Sequence, residues 1–186
     1  MLKTTIPYFS VIIQNEELLE EFDKENEENA EIEITLPCEE DELTEAMESI
    51  EVTAQGAHQD YRIKSSIGIQ TKRTDDIFEI NEELRIIVEI LEEHPELKFE
   101  SIREVRNRSP RASIESIQQR IDEGFLIEKT WYESDETNVG IYFADMFLNQ
   151  PEELASYIDY GAYGRDILYD YQIIQSTRDE LFLIRK

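Results

Sequence analysis

Forty-four acidic side chains against eighteen basic ones give this 186-residue chain a formal net charge of −26, and that imbalance limits its fold more than any other feature. Like charges at such density repel in every compact arrangement, so the fold has to spread them over the surface or use the field they create. A core is still possible. Forty per cent of the residues are hydrophobic and 10% aromatic, too many for a disordered acidic tail. The charge does narrow the partner classes. Ordinary nucleic-acid binding needs cations that displace counterions from phosphates, and an anionic membrane surface attracts the same cations. The chain is therefore expected to bind neither directly. No apolar run approaches the roughly 20 residues of a membrane span. A single cysteine, Cys38, leaves no intrachain disulfide to form and fits a reducing cytoplasm. The opening "MLKTTIPYFSVIIQNEE" lacks a small-residue cleavage site and reads as a strand rather than a signal peptide.

The charge is uneven: residues 1–51 hold 17 acidic and 2 basic side chains. "YFSVII" and "IEITLP" read as strands, the second stopped by Pro37. In "EEDELTEAMESI" the apolar Leu43, Ala46, Met47 and Ile50 share one helical face, with Asp41, Glu45 and Glu48 opposite. "EVTAQGAHQDYRIKSSIGI" suggests strands around a turn at Gly56. The clearest helix is "DDIFEINEELRIIVEILEEHPE", opened by Asp75 and Asp76 and ended by Pro95. Its Ile77, Ile80, Leu84, Ile87, Val88 and Leu91 form one arc, with Glu82, Glu89 and Glu93 opposite. Two shorter helices, "FESIREVRNR" and "SIESIQQRIDEG", follow, with Gly124 as a C-terminal cap. "FLIEKTWY" is a strand. "ETNVGIYFADMFLN" has helical spacing of Val139, Tyr142, Phe143, Met146 and Phe147, interrupted by Gly140. "PEELASYIDYGAYGRDI" begins a helix at Pro151, and "LYDYQII" with "ELFLIRK" closes the chain as a hairpin. The pattern predicts an α+β fold, an elongated row of two to three small αβ or α units. They are an N-terminal αβ unit over residues 1–72, a central helical unit over 73–130 and a C-terminal αβ unit with the closing hairpin over 131–186.

A catalytic constellation is hard to build from these residues. His58, two positions before Asp60, would share a strand face with it, but no nucleophile motif accompanies the pair. His94 sits at a helix end. There is no glycine-rich phosphate loop and no Cys/His cluster. "EEDE" at 39–42 lacks the alternate-residue spacing and turn glycine of a calcium loop. The expectation is a non-enzyme without metal or cofactor. One segment suggests another function: residues 76–145 have the helix, helix, turn, helix, strand rhythm of a winged helix. Arg103, Arg106, Arg108 and Arg111 crowd the approach to its third helix. Read as a DNA-binding regulator, the segment predicts strands from Ile127 to Phe143 about a turn at Ser134.

The stretch "YIDYGAYGRDI", residues 157–167, places Tyr157, Tyr160 and Tyr163 at every third position beside Gly161, Gly164 and an Arg165–Asp166 pair. On a helix the tyrosines spiral along one broad face. The glycines permit close approach of a neighbour, and Arg165 can fork onto Asp159 or Asp166. This stretch resembles the Tyr/Phe-Asp-Tyr-Glu-Ala-Tyr-Gly-Arg-Asp segment of ArdA-type antirestriction proteins. Asp159, Tyr160, Ala162, Tyr163, Gly164, Arg165 and Asp166 match, and Gly161 stands where many members carry glutamate or glutamine. The order "ITLP", acidic helix, "HQDY", long helix and closing hairpin is also similar to that family. The resemblance implies an acidic, homodimeric DNA mimic made by mobile elements. Such a protein occupies the DNA-binding groove of type I restriction-modification enzymes. It casts Asp41, Glu45, Glu48, Asp75, Glu82, Glu89, Glu93, Asp135 and Glu136 as phosphate stand-ins. Tyr157, Asp159, Tyr160, Tyr163, Gly164, Arg165 and Asp166 would then be structural, the tyrosines holding the last helix against its hairpin or forming part of the dimer contact. Twenty-six charges at one per ~1.7 Å correspond to roughly 44 Å of duplex.

Overall fold

The computed structural model describes residues 8–16, 30–52, 61–66, 76–130, 133–148 and 155–186. The expected turn at Gly56, His58, Asp75 and Pro151 lie outside them. The described elements make an α+β fold of six helices and two three-stranded antiparallel sheets. The chain divides into two compact units, Met1–Glu92 and Glu93–Lys186.

In the first unit the central strand β1 (Phe9–Asn15) pairs with β2 (Glu31–Leu36) on one side and β3 (Tyr61–Ser66) on the other. The register sets Phe9 opposite Leu36 and Val11 opposite Ile34. All four are buried, so the period-2 pattern of both strands turns to the same face. Helix α1 (Glu40–Ser49) buries Leu43 and Met47. It ends in a Schellman motif: Glu51 N–H donates to the Glu48 carbonyl, and Val52 N–H to that of Met47. The C′ residue of that motif takes the left-handed conformation, and here it is a glutamate, Glu51 at φ 60°. Helix α2 (Ile77–Glu93) buries Ile77, Ile80, Leu84, Ile86, Ile87, Ile90 and Leu91. The Asp76 carboxylate accepts from the Phe78 N–H and the Tyr61 hydroxyl from the Ile77 N–H, so β3 helps to start the helix. Buried Asn81 clamps the turn before α1, accepting from the Cys38 N–H at 2.9 Å and donating to its carbonyl at 3.0 Å.

The second unit is a three-layer sandwich. Its sheet runs β4 (Phe125–Glu128), β6 (Glu180–Arg185), β5 (Tyr171–Ser176), with β6 central and buried from Leu181 to Ile184. One face of β6 offers Phe182, which meets the edge of the His94 ring and the backbone of Gly124. Helices α3 (Phe99–Arg108) and α4 (Ile114–Asp122) pack on that side of the hairpin. The other face offers Leu181 and Leu183, which form a core with Ile127 and with Val139 and Phe143 of α5 (Asp135–Phe147). Tyr163 and Ile167 of α6 (Tyr160–Ile167) pack against the same core.

Several expectations are corrected. Residues 135–147 form a helix capped by Ser134, not the strand pair that a winged helix requires. Its Met146 and Phe147, which share the helical spacing of the buried Val139 and Phe143, are 62% and 67% exposed. The last helix starts at Tyr160 with Asp159 as its N-cap, which leaves Tyr157 on the preceding turn, 84% exposed. Gly124 is required by space: an added Cβ would lie 2.6 Å from the Phe182 ring and 2.8 Å from the Ile121 carbonyl oxygen.

Candidate functional site

The acidic residues of α1 occupy the side its core contacts leave open. Leu43 and Met47 are buried, while Asp41, Glu45 and Glu48 are exposed. At 1.5 Å per residue these three carboxylates span about 10 Å of helix. Glu82, Glu89 and Glu93 are exposed on α2 over about 16 Å, and Glu79 and Glu92 join them. The cation among them is Arg85, which lies 3.9 Å from Glu82 and 3.7 Å from Glu39 across to the start of α1. A shallow open cleft beside Arg85 holds Cys38 together with Glu39, Glu42 and Glu89. Burial, then the charges of Glu42 and Glu39, push the Cys38 thiol above its usual range.

Asp135 and Glu136 sit differently. Both lie in the first turn of α5, favourable to the helix dipole, and both are partly buried. Asp135 is paired with Lys129 at 2.6 Å, so its charge is offset locally. Glu133, Asp145, Asp159, Asp166 and Asp170 are the exposed carboxylates among the described residues of 133–170. Asp145 stands outside the acidic residues that the sequence singles out, within the apolar helical spacing of Met146 and Phe147.

The arginines of the α3–α4 region are largely engaged within the unit. Arg106 donates to the Ala112 carbonyl, and Arg120 to the Arg185 carbonyl and the Ser109 hydroxyl. Arg108 is paired with Glu104. The exposed side of α4 presents Glu115, Ser116, Gln119 and Asp122, which does not suit a helix entering a phosphate-lined groove. His94 lies 3.3 Å from Glu96 and 3.1 Å from Asp122, joining the start of this unit to the end of α4.

The tyrosine-rich stretch is a packing joint. Helices α5 and α6 cross with their backbones in contact at Gly140 and Gly164. A Cβ on Gly140 would fall 1.9 Å from the Tyr160 carbonyl oxygen, and one on Gly164 1.8 Å from that of Glu136. The glycine that interrupts the α5 pattern is thus one half of the joint, and the glycine of the family-like motif is the other. Asp159 accepts from the Ala162 N–H, Tyr160 and Tyr163 are half-buried, and Arg165 and Asp166 are exposed.

Among the described residues no group of three or more His, Cys, Asp or Glu is arranged to hold a metal ion. No described helix is long and apolar enough to cross a membrane. No curated protein matches the chain. Residues 15–179, nearly its whole length, match the family described as antirestriction protein (ArdA). By that match the chain belongs to the ArdA family of antirestriction proteins.

Proposed function

We propose that the chain is a DNA mimic that acts by binding, not by catalysis. Its target is the DNA-binding groove of a type I restriction-modification enzyme. On this reading it works in the cytoplasm as a homodimer, supplied by a mobile element to protect incoming DNA. One observation carries the reading: α1 and α2 bury their apolar sides and present carboxylates in rows on the other. From Glu79 to Glu93, α2 exposes one carboxylate per roughly 5 Å of axis, against one phosphate per ~3.4 Å along a DNA strand. Lysines and arginines shaped to hold phosphates would meet a comparable field. Each exposed carboxylate on its own is worth little, so affinity comes from the set.

The test is competition. A type I methyltransferase bound to labelled target DNA is titrated with this protein at low salt. Displacement at equimolar or modest excess is expected. Failure to displace at any concentration overturns the reading. Retention of the free DNA by this protein alone would favour a DNA-binding regulator instead.

A further inference from the structure

The sandwich of the second unit carries different chemistry on its two helical layers. The α3–α4 layer, residues 98–123, contains six basic and five acidic side chains. The described part of the α5–α6 layer, residues 133–148 and 155–170, contains one basic and seven acidic. Exposed apolar side chains divide the same way. Met146, Phe147 and Leu148 at the end of α5, Tyr157 before α6 and Tyr169 just after it are all exposed. The α3–α4 layer exposes no large hydrophobic side chain among its described residues. The contacts of Gly140 with Tyr160 and of Glu136 with Gly164 run α5 and α6 antiparallel. That brings Met146, Phe147, Leu148 and Tyr157 to one end of the layer. Apolar anchors ringed by charge are the anatomy of a docking surface.

We propose that the second unit docks through its α5–α6 layer onto the basic DNA-binding surface of its target and turns its α3–α4 layer away. This rests on the mimic reading above and specifies which face of this unit serves it. Charge complementarity selects the occupant. A second copy would set one acidic layer against another at a cost in repulsion, whereas a lysine- and arginine-lined groove gains from every carboxylate it meets. Arginine side chains of such a groove can also lie on the exposed rings of Phe147 and Tyr157. The near-neutral α3–α4 layer, with its own arginines at the surface, gains nothing there.

The test compares two variants with the same change in net charge. Asp145→Asn/Asp166→Asn/Asp170→Asn alters the α5–α6 layer, and Glu100→Gln/Glu104→Gln/Glu123→Gln alters the α3–α4 layer. In the competition assay the first should need about tenfold more protein to displace DNA, and the second less than about twofold more. Met146→Ser/Tyr157→Ser, with thermal melting to confirm the fold, should weaken displacement similarly. Equal losses in the two triple variants would leave the mimic reading standing and overturn the layer assignment. So would a Met146→Ser/Tyr157→Ser variant that displaces DNA as well as wild type. Sedimentation showing that this pair splits a wild-type dimer would overturn it too, assigning the patch to a second copy. Absence of displacement by wild type would bring down the mimic reading itself.

Discussion

Single residues show where this chain has room and where it has none. A Cβ at Gly164 would meet a backbone carbonyl oxygen at 1.8 Å, and backbone does not yield as a side-chain tip does. At Gly161 the nearest atoms lie at 3.4 Å, an ordinary contact. Gly164→Ala is therefore expected to cost about 3 kcal/mol or more. Gly161→Ala should stabilise the helix by about 0.5–1 kcal/mol. Urea denaturation of the two variants reads the difference directly. The second outcome also accounts for the glutamate or glutamine that the resembling segment carries at this place. Glu51 offers the converse case. It occupies a left-handed position that glycine fills without strain, so Glu51→Gly should raise stability by about 1 kcal/mol. Cys38 gives a pH test. Its thiolate is disfavoured by burial and by Glu42 and Glu39, so iodoacetamide should modify the native protein more slowly than the urea-unfolded chain at pH 8. The gap should close as pH rises through the raised thiol pKa. The native preference for the neutral thiol adds stability below the usual value of 9.0, which is lost over that same rise.

At the scale of elements, helix ends are fixed by residues distant in sequence. Helix α3 has no cap from its own N-terminal side chain; Lys98 stands there. Gln175 of β5 supplies one, accepting from the Lys98 N–H and the Ser101 hydroxyl at 3.0 Å and donating to the Glu96 carbonyl. Gln175→Ala should cost about 1–2 kcal/mol, with faster amide exchange confined to the first turn of α3. Nothing in the sequence near Lys98 announces this partner, 77 positions away. The elements themselves were legible because their periods are strong: Val11 and Ile34 alternate, and the α2 isoleucines recur on one arc. The failures have physical causes. Met146 and Phe147 obey the period of α5, but they lie outside the core that Val139 and Phe143 share with Leu181 and Leu183. Tyr157 keeps the spacing of Tyr160 and Tyr163, yet the Asp159 cap starts the helix after it. Of the candidate site, exposure of the α1 and α2 carboxylates followed from helical geometry. The pairing of Asp135 with Lys129 did not, because it joins the end of a strand to a helix across a loop. The joint of Gly140 with Gly164 was half visible: Gly164 read as a place of close approach, whereas Gly140 stood only as an interruption of a helical pattern.

For the molecule as a whole, the field of −26 charges governs how it meets anything else. A partner that engages it through six to ten phosphate-binding cations should lose about 10³–10⁵ in affinity between 50 and 200 mM salt, as it would with DNA. Repeating the competition across that range tests this. Labelled DNA and this protein should weaken together, so displacement curves plotted against their ratio should change far less than either affinity alone. A protein held by apolar contact would instead gain on the DNA as salt rises. Arg106 and Arg120, described above, each donate to a backbone carbonyl oxygen. With part of so small a complement of cations committed to the backbone, the remaining anions must be balanced from solution. The protein therefore carries a cloud of small ions, as a nucleic acid does. A partner that binds it sets those ions free, and gains in entropy what the fold declined to neutralise for itself.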